Sequence, residues 1–210
     1  MHTTSAALDQ QKQLRLVMRH NRRALTDGQQ NDVRNALPNV LAGLITYRYA
    51  RRIAFYLPND GEVDPGALIK QAEKYGKACF LPVICPLKAK RLHFVRYQPT
   101  TTLARNRFGI QEPHLSTPKI APLWTLDIIF VPLVAYDRFG TRLGMGGGYY
   151  DRTLADTARA SKPKLIGLAH SCQEVGSLKR SIWDVPMDLI VTEKEIIMAK
   201  QAPGEELKPT

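Results

Sequence analysis

The chain has 210 residues, 44% hydrophobic and 23% charged, which is usual for a globular protein with one sizeable core. Its formal net charge is +11, so the excess of basic side chains must face either water or an anion. The 3 cysteines show no C-x-x-C spacing, which argues against a disulfide framework and against a zinc site.

The sequence predicts neither a secretion signal nor a membrane span. No basic segment followed by an apolar one stands at the amino terminus. The longest apolar run, Ile128–Val134, is short and contains Pro132. We therefore expect a cytoplasmic protein.

Two helices are predicted before the first strand. Apolar side chains recur at helical spacing from Ser5 to Leu25, with basic residues between them. A second helix follows Asp27, and Pro38 is expected to break it because proline lacks the N–H that a helix interior requires.

The chain then changes to alternating strands and helices. Arg52–Leu57 has the composition of a buried strand. Asp64 is expected to be the N-cap of the next helix, with Pro65 in its first position. This helix should run to about Tyr75 and end at Gly76.

Further strands are predicted at Ala78–Ile84, Leu92–Tyr97, Asp127–Val134, Leu165–Ala169 and Leu189–Thr192. Asp127–Val134 is the most apolar and should be central. A proline-rich connection spans Pro99–Pro122, a helix covers about Tyr149–Ala160, and the tail after Ala202 should fray.

The alternation of strands and helices predicts an α/β fold. We expect one domain over residues 1–210, with three layers, a mostly parallel sheet, helices on both faces and an N-terminal helical segment. The connections between parallel strands should be right-handed.

A glycine-rich segment follows the most apolar strand and precedes a helix. Residues 139–154 read FGTRLGMGGGYYDRTL, with five glycines from Gly140 to Gly148. Ligands of open α/β sheets bind beyond the carboxyl ends of the strands, and glycines let backbone N–H groups approach an anion there. The positive end of the following helix and the guanidinium of Arg142 would favour phosphate.

Other interpretations of this segment remain open. It is not a Walker A motif, since no Gly-Lys-Ser/Thr follows, and it does not fit G-x-G-x-x-G. A flexible hairpin or packing loop would show the same glycines. Asp151 at the helix start is consistent with either a cap or a magnesium ligand.

The segment resembles the R-L-G-x-G-x-G-Y-Y-D signature of 5-formyltetrahydrofolate cyclo-ligases, also called methenyltetrahydrofolate synthetases. The matching residues are Arg142, Leu143, Gly144, Gly146, Gly148, Tyr149, Tyr150 and Asp151. Similar stretches occur in order elsewhere, at Lys12–Arg15, Tyr56–Val63, Arg107–Pro113 and Trp183–Asp188. Several ordered matches are far more specific than one glycine-rich loop.

The resemblance implies an enzyme that uses ATP and Mg²⁺ to convert 5-formyltetrahydrofolate to 5,10-methenyltetrahydrofolate, releasing ADP and phosphate. ATP would activate the formyl oxygen as a phosphorylated imine, and N10 would attack that carbon as phosphate leaves. Such a reaction depends on positioning and charge stabilisation and needs no covalent nucleophile. The implied fold is Rossmann-like, of the kind shared by phosphosugar isomerases and CoA-transferases.

The resemblance also assigns site residues. ATP would contact Lys12, Arg15, Arg142, Leu143, Gly144, Met145, Gly146, Gly147, Gly148, Tyr149 and Tyr150. The folate would contact Leu57, Glu62, Phe108, Met145, Gly146, Gly147, Gly148 and Tyr149. Arg142 and Tyr149 would be catalytic, and Asp151 and Asp184 would bind magnesium, with Asp188 as an alternative second ligand. The Glu62 carboxylate can accept two hydrogen bonds from a pterin ring.

One departure from the family pattern concerns charge. Some relatives carry Arg and Lys where this chain has Met145 and Gly147. Two cations that could steady the transferred phosphoryl group are therefore absent. Either Arg142 with magnesium suffices, or a basic residue from elsewhere replaces them.

The basic clusters Lys12–Arg23, Arg48–Arg52 and Lys88–Arg107 suit a solvated surface, a nucleic acid or small polyanions. We expect a monomer whose partners are ATP and a reduced folate, not a membrane or a nucleic acid. A polyglutamate tail on that folate could bind along Lys88–Arg107. The alternatives are a nucleic-acid-binding protein, although no recognised motif occurs, and a relative of phosphosugar isomerases or CoA-transferases.

Overall fold

The computed structural model describes residues 2–86, 90–114, 119–155 and 163–199, with side chains from Leu8 onward. The α-helices in these ranges are α1 (His2–Arg23), α2 (Asp27–Ala42), α3 (Ile45–Tyr49), α4 (Gly66–Lys74) and α5 (Tyr149–Leu154). Short 3-10 turns occur at Leu123–Thr125 and Ser171–Gln173.

Most strands lie in one sheet and four form small hairpins. They are β1 (Arg52–Ala54), β2 (Ala78–Ile84), β3 (Leu92–Tyr97), β4 (Leu103–Arg105), β5 (Gln111–Pro113), β6 (Ile120–Ala121), β7 (Ile128–Pro132), β8 (Ala135–Tyr136), β9 (Arg142–Leu143), β10 (Lys164–Leu168), β11 (Leu189–Val191) and β12 (Ile196–Met198). The hairpins pair β4 with β5 and β8 with β9.

The main sheet has the strand order β12-β11-β10-β7-β1-β2-β3-β6. The strands β11, β10, β7, β1 and β2 are parallel, whereas β12, β3 and β6 are antiparallel to their neighbours. The predicted α/β fold with a mostly parallel sheet is thus confirmed. The apolar strand β7 lies at the centre, as expected.

Alternate side chains of each strand point to opposite faces of the sheet, so β7 contributes to two cores. Ile128 and Phe130 pack with α2, α3 and α4 on one face. Ile129 and Val131 pack on the other face, where Leu154 of α5 joins them. Helices therefore cover both faces of the sheet.

Two helix predictions were wrong in detail. The helix α2 continues through Pro38, with Leu37 and Leu41 fully buried on either side. Their packing outweighs the local cost of a missing N–H. The helix α4 begins one residue later than predicted, with Pro65 at its N-cap, because the Asp64 carboxylate accepts the N–H of Gly66 in a preceding turn.

The short strands were also missed. The connection Pro99–Pro122 contains the β4–β5 hairpin and β6, and β12 adds an edge strand. Strands of two or three residues carry too few side chains for a periodic signal. The predicted helix beyond residue 155 and the tail after Ala202 lie outside the described residues. None of the described helices is long and apolar enough to cross a membrane.

Candidate active site at the carboxyl edge of the sheet

The carboxyl ends of β1, β7 and β10 meet at one edge of the sheet, and helix α1 lies across it. Arg15 Nε donates to the Gly144 carbonyl at 2.8 Å, and Arg22 Nη1 donates to the Leu133 carbonyl at 3.1 Å. The basic face of α1 therefore binds the loops that follow the strands.

The β8–β9 hairpin positions the glycine-rich segment. The buried Asp137 carboxylate accepts the N–H groups of Phe139 and Thr141 on one oxygen, which closes the turn. Gly140 has a φ of 77°, and a Cβ there would lie 2.5 Å from the Met187 carbonyl oxygen. The hairpin is thus docked against the chain before β11, and it presents β9 at the edge.

The glycine loop (residues 144–148) connects β9 to α5. Gly146 and Gly148 have φ values of 91° and 67°, in the left-handed region that side chains disfavour. Arg152 Nη1 donates to the carbonyls of Gly147 and Gly148 at 3.1 and 3.3 Å. A Cβ on Gly146 would lie 3.8 Å from the Arg15 guanidinium. Two arginines therefore border a strongly curved loop.

Arg142 and Asp151 form an ion pair beside this loop. Arg142 Nη2 lies 2.5 Å from Asp151 Oδ1, and the Arg142 side chain is only 4% exposed. The buried Nε of Arg142 has no hydrogen-bond partner among the described residues. The predicted phosphate ligand and the predicted metal ligand are thus in direct contact, and Arg142 retains an unused donor.

The structure brings Asp184 close to Asp151. Asp151 Oδ1 accepts the N–H of Val185 at 3.4 Å, and Asp184 Oδ2 accepts the N–H of Ser181 at 2.7 Å. Burial lowers the pKa of Arg15, and the negative charge of Asp184 partly opposes that shift. Asp184 therefore lies between Asp151, the other predicted magnesium ligand, and the basic face of α1.

Asp188 lies at the opposite end of β10. Its carboxylate binds Lys164 Nζ at 3.0 Å and the N–H of Leu165 at 2.8 Å. Both partners stand at the amino end of β10, so the structure brings Asp184 rather than Asp188 to Asp151.

Asp151 and Asp184 fit a magnesium ion by their chemistry. Within the described ranges, no cluster of three or more His, Cys, Asp or Glu side chains could enclose a metal. Magnesium usually binds only one or two carboxylates and completes its coordination with water and phosphate oxygens. Asp151 and Asp184, whose chain neighbour Val185 donates its N–H to Asp151, supply two such carboxylates beside the glycine loop.

Glu62 is a buried acid in the loop after β1. Its Oε2 accepts the N–H of Asn59 at 3.1 Å, and Arg22 Nη2 lies 3.9 Å from Oε1. Burial raises the pKa of Glu62 to about 7, although the charge of Arg22 and the Asn59 hydrogen bond act in the opposite direction. Leu57, from the same loop, packs against the core.

The hydroxyl of Tyr150 lies near Glu62 and has no hydrogen-bond partner in the described part of the chain. Burial raises the pKa of Tyr150, the charge of Glu62 raises it further, and the charge of Arg142 lowers it. We call Glu62 and Tyr150 the Glu62 pair. It combines a carboxylate with a hydroxyl that no described residue uses, and both groups can form hydrogen bonds with a polar ring.

Sequence reasoning missed the arginine clamp, which consists of Arg19, Arg22 and Arg23 around Asp60. Arg19 Nε and Arg22 Nη2 donate to Asp60 Oδ2 at 2.7 and 2.8 Å, and Arg23 contacts Oδ1. Burial alone would raise the pKa of Asp60, but these hydrogen bonds outweigh it and lower the pKa to about 2. The spacing of the arginines along α1 was the available signal.

His170 was also missed, and it supports the same loop from β10. Its Nε2 lies 3.2 Å from the Gly61 carbonyl oxygen, and its side chain is buried. Burial lowers the pKa of His170, so the neutral imidazole is favoured. An isolated histidine after a strand offers no sequence signal for this contact.

Phe108 and Tyr149 come together at the far side of the glycine loop. Their rings meet edge to face with centroids 5.7 Å apart, and the Tyr149 hydroxyl accepts a hydrogen bond from Arg107 Nη2. Arg107, predicted only as part of the basic cluster Lys88–Arg107, thus adds a cation next to the loop. Lys12 and Met145 are exposed, and Met145 Sδ lies 3.9 Å from Arg22 Nη2.

Comparisons with known proteins point to one family. The model of the 5-formyltetrahydrofolate cyclo-ligase family matches residues 7–193. The chain is 42% identical to the 5-formyltetrahydrofolate cyclo-ligase of Haemophilus influenzae over 181 residues, which cover 86% of this chain and 96% of the relative. It is 39% identical to that of Escherichia coli over 180 residues, covering 86% and 98%.

A solved structure is similar over nearly the whole chain. The NMR structure of Aquifex aeolicus 5,10-methenyltetrahydrofolate synthetase has a TM-score of 0.76 and 30% sequence identity, and the match covers 94% of this chain and 96% of that one.

Proposed function

The chain belongs to the 5-formyltetrahydrofolate cyclo-ligase family, and from this premise we propose roles for its residues at the carboxyl edge. The enzyme uses ATP to close the ring of 5-formyltetrahydrofolate, giving 5,10-methenyltetrahydrofolate, ADP and phosphate. The observation that carries the proposal is that the Arg142–Asp151 pair lies beside the glycine loop, and that Tyr150 feels the charges of both Arg142 and Glu62.

The glycine loop is our proposed binding site for the phosphates of ATP. Its left-handed glycines expose backbone N–H groups, and Arg15, Arg142 and Arg152 surround them with positive charge. Arg142 Nε is buried and has no hydrogen-bond partner among the described residues, so a phosphate oxygen would satisfy it. Leu143 and Tyr150 flank the loop, and Lys12 on the exposed side of α1 would reach the nucleotide from solvent.

Arg107 and Arg152 replace, in this proposal, the two cations that are absent at Met145 and Gly147. Arg152 already contacts the loop carbonyls, and Arg107 contacts Tyr149. Positive charge close to the transferred phosphoryl group stabilises it whether or not the arginine lies within the loop itself.

Asp151 and Asp184 would hold Mg²⁺ together with phosphate oxygens of ATP. The ion would neutralise phosphate charge during transfer. Arg142 pairs with Asp151, so its guanidinium already lies beside the proposed magnesium site.

The Glu62 pair would bind the pterin ring. The carboxylate of Glu62 can accept paired hydrogen bonds from a ring N–H and the adjacent amino group, and Tyr150 can donate its unused hydroxyl. Leu57, Phe108 and Tyr149 would supply the apolar contacts around the ring. Accepted hydrogen bonds favour the ionised carboxylate, so folate binding should lower the raised pKa of Glu62.

Arg142 and Tyr149 would then act at the reacting atoms. With pterin and phosphates in adjacent sites, the formyl oxygen would lie beside the terminal phosphoryl group. Its phosphorylation makes the formyl carbon an imine electrophile, N10 attacks that carbon, and phosphate leaves. The protein contributes position and positive charge to both steps.

An absorbance assay for the methenyl product tests this proposal. Turnover should require both ATP and magnesium, and Arg142→Ala should raise the KM for ATP by roughly tenfold to a hundredfold, because a charge-assisted hydrogen bond is lost. Arg138→Ala is the matched control, since Arg138 lies in the same hairpin and is bound to Glu174 and Glu195. Equal turnover without nucleotide would contradict the function, and a normal KM in Arg142→Ala would contradict the role of that arginine.

Several broader features are part of the same proposal. We infer a cytoplasmic, monomeric enzyme with one domain over residues 1–210. Its folate can carry several glutamates, which would follow the basic cluster Lys88–Arg107, although residues 88 and 89 of that cluster lie outside the described ranges. The basic face of α1 is occupied by Asp60 and Gly144, which leaves little of it for a nucleic acid.

A further inference from the structure

A cavity lies at the opposite edge of the sheet, where β1 and β2 begin. Its volume is about 610 Å³, which is within the size range of small-molecule sites. Arg52 and Ala78, the first residues of β1 and β2, line it together with Arg96 of β3 and Ile120 of β6. We call it the amino-edge cavity. The sheet separates it from the glycine loop, so the proposed ATP and folate sites do not account for it.

The described lining of this cavity is basic and contains no carboxylate. Its charged or titratable side chains are those of Arg52, Arg96, His114 and Lys119. The nearby Asp127 carboxylate is not part of the lining and accepts the backbone N–H of Arg52 at 3.0 Å. Positive charge therefore accumulates in a concave site.

Two of these arginines converge on one aromatic ring. The guanidinium carbons of Arg52 and Arg96 lie 4.8 and 5.6 Å from the ring centroid of Phe80. Arg52 is held in place by Thr125, whose carbonyl and hydroxyl accept from Nε and Nη2 at 2.8 and 3.1 Å. Two like charges near one ring repel each other unless an anion joins them.

Arg96 has a donor that nothing in the described protein uses. Its Nη1 is buried and has no hydrogen-bond partner there. A buried unsatisfied donor on a charged group is costly, and an anion in the cavity would satisfy it. The remaining polar lining, from Gln98 and residues 100–102, can bind further oxygen atoms of such a ligand.

We propose that the amino-edge cavity binds a small phosphate-bearing anion, with Arg96 and Lys119 as its principal ligands. A phosphate group offers several acceptor oxygens and more negative charge than one carboxylate, which matches two guanidiniums and a lysine. The cavity has room for a body attached to that phosphate.

Protein NMR with inorganic phosphate as the probe tests this inference. In the wild-type chain, phosphate should shift two separate sets of amides, one in the glycine loop and one around residues 96–102 and 119–121. Arg96→Gln should raise the phosphate Kd reported by the second set of amides about tenfold or more, because a charge-assisted hydrogen bond is removed. The Kd reported by the first set should stay unchanged. Arg48→Gln, an exposed arginine of α3 outside the cavity, is the control that should keep both sets.

The outcomes separate this inference from the proposed function. The amino-edge site is overturned if phosphate shifts only the amides of the glycine loop, or if the second set of amides still shifts with the wild-type Kd in Arg96→Gln. Either result leaves the enzymatic proposal intact. Lys119→Gln provides a second variant at an exposed position in case Arg96→Gln does not fold. Citrate is the contrasting probe, and tighter binding of citrate than of phosphate at the second set would overturn the phosphate assignment.

Discussion

Asp60 and Glu62 stand two residues apart in the loop after β1, yet the fold shifts their pKa values in opposite directions. The pKa of Asp60 is lowered to about 2, whereas that of Glu62 is raised to about 7. Both side chains are nearly closed to water, with 9% and 11% of their surface exposed. Exposed surface alone therefore does not explain the difference.

The two carboxylates differ in depth and in their hydrogen-bond donors. The arginine clamp donates to Asp60 from Arg19, Arg22 and Arg23, and these bonds outweigh the cost of burial. Glu62 lies deeper and receives the N–H of Asn59, while Arg22 remains 3.9 Å away. The Asp60 carboxylate is fully hydrogen-bonded and holds the loop to α1. The Glu62 carboxylate can still accept hydrogen bonds from a ligand.

Removing the shared arginine should have the largest effect. Arg22 is fully buried and binds both the Asp60 carboxylate and the Leu133 carbonyl. Arg22→Met would leave these acceptors buried and unpaired, so we expect a loss of about 3–5 kcal/mol in the free energy of unfolding. Urea denaturation measures it. Arg23→Met, whose side chain is 55% exposed, should cost less than about 1 kcal/mol. Equal losses would show that burial does not distinguish the two arginines.

The pH dependence of stability should separate the two acids. A raised folded-state pKa means that the native state keeps a proton that the unfolded chain has lost. Because the pKa of Glu62 rises from 4.5 to about 7, its contribution to stability should fall by about 3 kcal/mol as pH rises through that window, and then level off. Urea midpoints at pH 5 and pH 8 measure the slope, and Glu62→Gln should flatten it. An unchanged slope in the variant would place the titration elsewhere.

Folate binding should depend on Glu62 but not on the clamp. Glu62→Gln replaces one acceptor oxygen with a donor, so we expect folate affinity to fall about tenfold to a hundredfold, equivalent to about 1.4–2.7 kcal/mol. ATP affinity should be nearly unchanged, because the glycine loop is a separate segment. Calorimetric titration of each ligand decides the matter. Normal folate binding with weakened ATP binding would assign Glu62 to the nucleotide side.

The contribution of Asp60 to stability should be smaller than that of Glu62 and should change with pH in the opposite direction. Its folded-state pKa is below the ordinary 3.8, so its contribution is fully present above about pH 4 and is lost as pH falls toward 2. After allowance for solvent screening, we expect Asp60→Asn to cost about 1–2 kcal/mol at pH 7. Urea unfolding at pH 7 and pH 3 measures this, with Asp32→Asn on the exposed side of α2 as control. A cost that persists undiminished at pH 3 would contradict the ionic origin of the clamp.

Local patterns in the sequence determined the fold class and the position of the glycine loop. Alternation of strands and helices predicted the parallel sheet, and the apolar run of β7 predicted its centre. The R-L-G-x-G-x-G-Y-Y-D motif predicted the family, because its residues are contiguous in the chain. Short-range features of this kind can be read without coordinates.

Only the tertiary structure decided which charges meet. Residue type alone does not distinguish Asp60 from Glu62, or Asp184 from Asp188, and only the family resemblance favoured Glu62 and Asp184. The outcome depends on partners far away in the chain, such as Arg22 on α1 and Lys164 on β10. Desolvation and Coulomb interactions act through space, so the pKa of a buried group is a property of the packed molecule and not of its neighbours in sequence.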